Sequence, residues 1–516
     1  VSNQNFFFLD FIKIVPLIRY ILLVTVLITF SCQNPTKKVQ NQSQNPNVII
    51  IYMDDLGYGD VSSYGKGKLK TPNIDKLANE GLKFLKGYSS SATCTPSRYG
   101  LLTGTYPWRN PRAKIITGGS LIIDTGQMTL PKLLKINGYK TGIVGKWHLG
   151  LGKDRINYNQ TISPGANEIG FDYSYILADT QDRVPSVYIE NGRVENLDVN
   201  DPISVNFDKN DYDLPTGLKN PELTTMKWHH GHNGSIVNGI PRIGFMKGGN
   251  KARWIDEDMA DNFLNKAKEY INGNKNNSFF LFYSLQQPHV PRTPNPRFVG
   301  KSGMGPRGDA IIEADWCIGE LYKTLEENKL LENTLIIFSS DNGPVLNDGY
   351  FDDAVEMLGE HTPSGGLRGG KYSLFEAGTR VPFIAYWKDK IKPGVSDQVI
   401  SQIDLFNTVS KMIDSDFRTK DGKDLSNLIL NNTGEGRNEL VIEAMGRTAY
   451  RYKEWVMIPP YKGRKIAKNV QIELGNSNEY MLFDLEKDPY QKDNLAKKNP
   501  EKLKFMISNF NNIKEN

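Results

Sequence analysis

The sequence predicts an α/β fold built on a largely buried sheet, and three observations carry that expectation. Short, wholly apolar runs such as Val48-Ile49-Ile50-Ile51-Tyr52 alternate with amphipathic stretches along the chain. Runs of this kind suit strands covered on both faces, as parallel strands packed between helices are. Several of them lead straight into polar residues at their C-terminal ends, the edge at which open α/β sheets bind ligands. Finally, 516 residues exceed what one small core can use, so a large domain with a smaller one attached is expected.

In chain order, residues 1–32 read as a targeting segment. Lys13 and Arg19 precede the apolar run Tyr20 to Phe30, which is short for a membrane-spanning helix and fits a signal peptide. Residues 33–46, rich in Asn, Gln, Ser and Lys, suit a solvated tether that buries no core. The large domain is placed over 47–431. Within it Val48 to Tyr52 is a strand, Ile74 to Leu85 a helix, Leu130 to Ile136 a further amphipathic stretch and Thr141 to Val144 a strand. Residues 152–251 turn to Asn, Asp, Pro and Gly with little periodicity, which indicates an elaborated loop region over a site. The alternation resumes with a helix over Asp256 to Ile271, a strand at Phe279 to Tyr283, a helix over Ala310 to Leu325 and a strand at Leu335 to Phe338. A last strand is expected at Pro382 to Tyr386 and a helix near Asp404 to Ile413. The small domain, 432–516, shows strand-like runs at Leu440 to Met445, Trp455 to Ile458 and Tyr480 to Leu485, closed by a helix over Pro500 to Phe510.

The 63 Lys and Arg against 58 Asp and Glu leave a formal charge of +5, too weak and too evenly spread to indicate nucleic acid as a partner. Anionic small or carbohydrate ligands stay open. Beyond Cys32 only Cys94 and Cys317 remain, so no disulfide framework supports an exported chain. Cys317 falls in a helical run and reads as core. Cys94 lies among Ser, Thr and Pro, where packing explains little; either it pairs with Cys317 or it has a chemical role.

Four strands deliver polar residues to one edge. Val48 to Tyr52 runs into Asp54-Asp55, Leu335 to Phe338 into Asp341-Asn342, Phe279 to Tyr283 into Gln286-Gln287-Pro288-His289, and Thr141 to Val144 into Gly145-Lys146-Trp147-His148. Adjacent carboxylates repel unless a cation or protons compensate. An oxygen-only set of Asp54, Asp55, Asp341 and Asn342 suits a hard ion, calcium or magnesium, over zinc or copper. Each pair alone is also common in plain turns; their placement after two buried strands is what points to a metal.

The segment Cys94-Thr95-Pro96-Ser97-Arg98, followed by Leu102-Thr103-Gly104, resembles the signature of the sulfatase family, which has an alkaline phosphatase-like fold. The resemblance covers nearly the whole chain after the leader. It implies a large mixed sheet flanked by helices, with a smaller C-terminal sheet-plus-helix domain. It also implies that a maturation enzyme oxidises Cys94 to formylglycine (3-oxoalanine), whose hydrated aldehyde is the nucleophile. An unmodified thiolate would be left in a thiosulfate-like adduct, whereas the hydrate has a second hydroxyl with which to expel sulfate. By the same resemblance, Asp54, Asp55, Asp341 and Asn342 hold one Ca2+ with the Cys94 side chain also at the metal, and Arg98 orients the hydrate. Gly145-Lys146-Trp147-His148-Leu149-Gly150 matches a second family signature, in which Lys146 contacts hydrate and sulfate and His148 bonds a hydrate hydroxyl. Pro288-His289-Val290-Pro291 and Gly369-Gly370-Lys371 match segments whose His faces the scissile oxygen and whose Lys binds sulfate. His289 is the candidate general acid. Tyr480 to Pro489, with Asn494-Leu495-Ala496, resembles the family's closing sheet.

The resemblance makes the protein a sulfuric ester hydrolase, acting on a sulfated polysaccharide of algal type (ulvan, carrageenan, fucan) or on a host glycosaminoglycan. His229, His230, His232, Arg242, Arg292 and Arg368 are candidates for the substrate rim. The cluster Trp228-His229-His230-Gly231-His232 matches no helical or hairpin zinc spacing, which leaves sugar recognition or a polar loop. A formylglycine-dependent phosphonate or phosphate ester hydrolase of the same superfold is the nearest alternative. An inactive glycan-binding relative should lack Cys94, Lys146 or a metal carboxylate, and all are present. Thr29-Phe30-Ser31-Cys32 resembles a bacterial lipobox, although Thr29 and Phe30 depart from its usual residues. The protein is thus expected to be exported, either to the periplasm or, lipidated at Cys32, to the outer membrane.

Overall fold

The computed structural model describes residues 45–515. The leader, Cys32 and the tether up to residue 44 lie outside the described residues. Ten strands of the main sheet are, in chain order, β1 (Asn47–Met53), β2 (Leu82–Tyr88), β3 (Lys140–Lys146), β4 (Tyr173–Leu177), β5 (Ile189–Glu190), β6 (Arg193–Val194), β7 (Phe279–Ser284), β8 (Thr334–Ser340), β9 (Phe383–Tyr386) and β10 (Gly394–Ser401). Their spatial order is β10-β2-β9-β8-β1-β7-β3-β4-β5-β6. The central block β8-β1-β7-β3-β4 is parallel, with Ile50 of β1 opposite both Ile337 and Phe282. β9 runs antiparallel to β8 and β2, and β5 and β6 fold back on β4, so the sheet is mixed as expected.

Every residue of β1 is buried, because helices cover both faces of the sheet. The main helices are α1 (Pro72–Glu80), α2 (Cys94–Thr103), α3 (Leu130–Ile136), α4 (Met259–Asn274), α5 (Gly305–Glu327), α6 (Asp404–Met412) and α7 (Pro500–Glu515). Val48, Ile50 and Tyr52 share a core with Leu101 and Leu102 of α2, Leu133 of α3 and Phe406 of α6. The alternate residues Ile49, Ile51 and Met53 meet Leu77 of α1, Phe263 of α4 and Ile311 of α5. Cys317 is buried in that second layer, and both described cysteines are free thiols, so the pairing with Cys94 is not formed.

Two expectations are corrected. The helix read over Ile74 to Leu85 ends at Glu80, because Gly81 leaves the helical region (φ −121°, ψ −160°) and Leu82 opens β2. A Cβ at Gly81 would meet the Ala385 carbonyl oxygen at 2.5 Å, so the backbones approach too closely there for another residue. Residues 152–251 are mostly loop, yet they also supply β4, β5 and β6 to the main sheet.

The C-terminal part is a four-stranded antiparallel sheet, β11 (Glu439–Ala444), β12 (Arg447–Tyr452), β13 (Trp455–Ile458) and β14 (Met481–Asp484), with Met506 and Phe510 of α7 buried against it. The same cluster takes in Ala92, Leu374 and Phe375. The Ala92 amide donates to the Glu443 carbonyl at 2.8 Å, and the Ser91 hydroxyl to the Glu443 carboxylate at 2.5 Å. The small sheet therefore braces the turn that precedes Cys94.

Candidate functional site

β8, β1, β7 and β3 are neighbours and parallel, so the polar residues after them meet at one edge. Asp54 and Asp55 follow β1, Asp341 and Asn342 follow β8, His289 lies beyond β7, and Lys146 ends β3 with His148 just after it. α2 adds Cys94 at its first turn, where unpaired helix amides favour negative charge. All ten residues of α2 are buried, including Ser97 and Arg98. A helix so placed is held by polar partners: the Arg98 guanidinium donates to Asp341 at 2.9 and 3.2 Å, and the Ser97 hydroxyl lies 3.1 Å from that of Tyr52.

Ligand atoms of Asp54, Asp55, Cys94 and Asp341 all lie within 4.8 Å of one another, each buried. The Cys94 Sγ is 3.5 Å from Asp54 Oδ1. Asn342 donates from Nδ2 to Asp55 Oδ1 at 2.7 Å, while its buried Oδ1 has no partner. Three carboxylates around one point fit a hard divalent cation, and Asn342, whose oxygen has no partner, stands beside Asp55 as a further oxygen donor. Without one, burial and then the Asp341 charge push the Asp54 carboxyl well up. Burial opposes ionisation of Asp341 too, but Arg98, followed by Lys146 and Lys371, holds it down. Asp55 sits in the left-handed region (φ 63°), as does His148 (φ 53°). Non-glycine residues hold such angles at a cost of order 1–3 kcal/mol, which the surrounding packing must supply.

Cations surround the carboxylates. The Lys146 ammonium pairs with Asp54 Oδ2, and Lys371 Nζ lies 2.9 Å from both Asp55 Oδ2 and Asp348 Oδ2. His289 is buried, and burial, reinforced by Lys371 and Lys146, holds its pKa well below the usual imidazole value. Its Nδ1 lies 2.7 Å from the Val290 carbonyl, which can only accept, so Nδ1 carries the proton and Nε2 is left facing Asp55 Oδ2 at 3.8 Å. His148 is neutral by the same logic, burial being the largest cause. Its Nε2 donates to the Ile116 carbonyl at 3.0 Å, and its buried Nδ1 has no partner.

Cys94, three carboxylates, two lysines, an arginine and the neutral His289 thus converge on one buried point, with the neutral His148 following β3 beside Lys146. Such a site can bind a tetrahedral oxyanion, stabilise charge on it and exchange a proton with a leaving oxygen. Asp348 was not singled out from the sequence. It lies on the loop after β8 and bridges Lys371 to the Tyr372 hydroxyl at 3.2–3.3 Å.

The rim candidates divide. His229 and His230 are part-buried with their Nδ1 atoms 2.8 Å apart, and His230 lines a pocket with Asp348 and Tyr372. His232 is buried, with Nε2 2.7 Å from Asp182. Among the described residues these histidines form no group close enough to hold a metal. Arg242 is wholly buried in a bidentate pair with Asp256 at 2.7–2.8 Å. Arg292 is buried too, donating to Asp352 at 2.8 Å and to the Pro288, Val345 and Leu346 carbonyls. Arg368 pairs with Glu473, donates to the Gln491 carbonyl and stacks on Phe375. Arg292 spends its donors on the protein itself, Arg242 is engaged by Asp256 from within, and Arg368 stays partly exposed.

Comparison with known proteins gives concordant matches. The sulfatase family model matches residues 46–415. An N-acetylgalactosamine-6-O-sulfatase of Bacteroides thetaiotaomicron is 47% identical over 509 residues, 97% of this chain and 99% of that protein. Bovine arylsulfatase A is 32% identical over 408 residues, 77% of this chain and 70% of its own length. A solved structure from work on glycosaminoglycan metabolism by Bacteroides thetaiotaomicron superposes with a TM-score of 0.90 at 47% identity, covering 92% of this chain and 100% of that one. A Pseudoalteromonas sulfatase structure gives 0.67 at 26% identity over 92% and 91%.

Proposed function

The chain belongs to the sulfatase family, and from that premise we propose that it removes 6-O-sulfate from N-acetylgalactosamine in a glycosaminoglycan, with Cys94 matured to formylglycine. The observation that carries the reaction is the convergence on Cys94 of Asp54, Asp55, Asp341, Asn342, Arg98, Lys146 and Lys371. The substrate rests on the resemblance, over 97% of this chain and 99% of its relative, to an enzyme of that specificity. It favours the glycosaminoglycan reading over the algal one.

In this scheme Asp54, Asp55, Asp341 and Asn342 would hold Ca2+, with the Cys94 side chain beside it. The ion and the aldehyde hydrate supply, respectively, fixed positive charge for sulfuryl oxygens and the attacking oxygen. The chain's own groups do the rest. Lys146 and Lys371 bind sulfuryl oxygens, exchanging part of their contact with Asp54 and Asp55 for the incoming anion. Arg98, held by Asp341, orients the Cys94 side chain. The free Nδ1 of His148 would be the acceptor for a hydroxyl hydrogen on that side chain once matured. His289 presents Nε2 to the leaving oxygen; bound sulfate offsets the lysine charges that add to burial in holding the imidazole neutral, so Nε2 takes up a proton from solvent and gives it to the leaving oxygen as the C–O–S link opens at sulfur.

A maturation enzyme is then a required partner, and we place the protein outside the cytoplasm, in the periplasm or tethered to the outer membrane through lipidated Cys32. The test is sulfate release from N-acetylgalactosamine-6-sulfate, beside the 4-sulfate isomer and glucosamine-6-sulfate, by protein whose Ser91 to Arg98 peptide carries the aldehyde by mass. Release confined to the first substrate is expected. An aldehyde-bearing protein that leaves all three untouched overturns the substrate, and one that instead cleaves phosphonate esters overturns the reaction.

A further inference from the structure

Residues 462–475 hold Lys462, Arg464, Lys465 and Lys468 against one carboxylate, Glu473. All four cations are exposed, and among the described residues none makes an ion pair, whereas Glu473 is taken by Arg368. Like charges this close repel one another, so a concentration of them without partners is a disadvantage to the free protein. The segment is nevertheless rigidly tied down. Ile466–Ala467 pairs antiparallel with Ile472–Glu473, and buried Val470 and Ile472 pack on Val345 and Tyr372. The Ser373 hydroxyl donates to the Glu473 carbonyl at 2.5 Å, and Arg447 joins Leu474 to Tyr372 by donating to both carbonyls, at 2.9 and 2.8 Å.

Those anchors are next to the reaction site. Tyr372 follows Lys371, and Val345 lies on the loop after Asp341 and Asn342. Between hairpin and site is a 350 Å³ pocket whose walls include His230, Asp348, Tyr372, Arg447, Ala467 and Val470. Asp348, which holds Lys371, is in its wall, and the hairpin contributes Ala467, Asn469 and Val470, with the exposed cations before Ala467 and, at Lys468, just after it in sequence. Arg447 itself has only carbonyl and amide oxygens as partners.

We propose that the hairpin 462–475 is a docking surface for the polyanionic glycan beyond the sulfated sugar, reading the carboxylates and sulfates of neighbouring units as the scissile unit sits near Lys371. This rests on the sulfatase reading and adds the length of substrate the enzyme recognises. An electrostatic surface of this kind raises capture of long chains and leaves a monosaccharide unaffected.

The experiment compares matured wild type with the combined Lys462→Ser, Arg464→Ser, Lys465→Ser, Lys468→Ser variant. The probes are N-acetylgalactosamine-6-sulfate and an oligosaccharide in which uronate alternates with that sugar. For the variant, kcat/KM on the oligosaccharide should fall about tenfold and lose its salt dependence, while the monosaccharide value stays unchanged. A charge-retaining variant, Lys462→Arg with Arg464→Lys, Lys465→Arg and Lys468→Arg, should keep the wild-type ratio. Equal rates on the oligosaccharide, or equal losses on both probes, overturn the proposal. If wild type cleaves neither probe, the sulfatase substrate reading is at fault; oligosaccharide affinity by calorimetry then decides the hairpin, and equal affinity of wild type and Ser variant overturns it.

Discussion

Replacing Arg292 with Met separates a substrate contact from an internal strut. Arg292 is 2% exposed and donates to Asp352 at 2.8 Å and to three carbonyls, those of Pro288, Val345 and Leu346. Asp352 is buried and already has one oxygen without a partner. Removing the guanidinium leaves its carboxylate uncompensated, which costs about 3–5 kcal/mol for a buried pair. The same change frees the loop carrying His289 from the loop after β8, and a displacement of about 1 Å there lowers turnover by about a hundredfold. Equilibrium urea denaturation and kcat should therefore fall together for Arg292→Met. Adding Asp352→Leu should restore most of the stability, because no charge is then stranded, without restoring kcat. A single variant of native stability and raised KM would refute this reasoning and return Arg292 to the substrate rim.

Asp54→Ala should abolish sulfate release and lower bound calcium, measured by elemental analysis of desalted protein, from about one per chain to none. Chelated wild type regaining full activity only with calcium, and not with zinc, would agree with the oxygen-only cage. His289→Ala should lower kcat on the sugar sulfate by about a hundredfold or more and affect 4-nitrophenyl sulfate far less, because a phenoxide leaves without a proton; equal losses would remove His289 from the proton transfer. Burial raises Glu313 from an ordinary carboxyl value to about 7, against hydrogen bonds from Asn295 and Gln287. The native state then holds a proton the unfolded chain has lost, so stability falls as pH rises from about 4.5 to 7. Glu313→Gln should remove that loss, gaining up to about 3 kcal/mol relative to wild type between acid and pH 8, as read by urea midpoints.

What the sequence made legible was the part set by local pattern. Wholly apolar runs marked β1, β7 and β8, and the polar residues after them came together because parallel neighbours share an edge. β2 escaped because Ile74, Leu77 and Leu82 keep helical spacing across Gly81; only the close approach of Ala385 shows why the helix stops. β4 to β6 escaped because they are short and set in loop-like text, so pairing to β3 rather than periodicity defines them. Asp348 is legible only in three dimensions: nothing in Val345-Leu346-Asn347-Asp348 announces a partner, and Lys371 reaches it from 23 residues away. The burial of Arg242 and Arg292, two of the rim candidates, is hidden for the same reason. An isolated Arg in loop sequence looks solvent-facing, whereas Arg242 and Arg292 cross-link loops from within.

If Cys94 is matured as proposed, its burial orders maturation and folding. Its side chain is 2% exposed, at the start of a helix with no exposed residue and beneath a turn braced by Glu443. An enzyme that oxidises this thiol must bind the surrounding peptide in extended form, and doing so on folded protein would require extracting α2 from the main core. That core includes Leu101 and Leu102, and Arg98 would have to leave Asp341 while buried. The cost approaches that of global unfolding, which for typical domains is about 5–15 kcal/mol. On the proposed maturation of Cys94, modification therefore precedes folding. Purified, folded, unmodified protein mixed with maturation enzyme should show no aldehyde by peptide mass, whereas the same protein diluted from urea into that enzyme, or the isolated Ser91 to Gly104 peptide, should be oxidised. Conversion of the folded protein at the rate of the peptide would mean that α2 opens readily, and would withdraw the rigidity argued for the nucleophile's position.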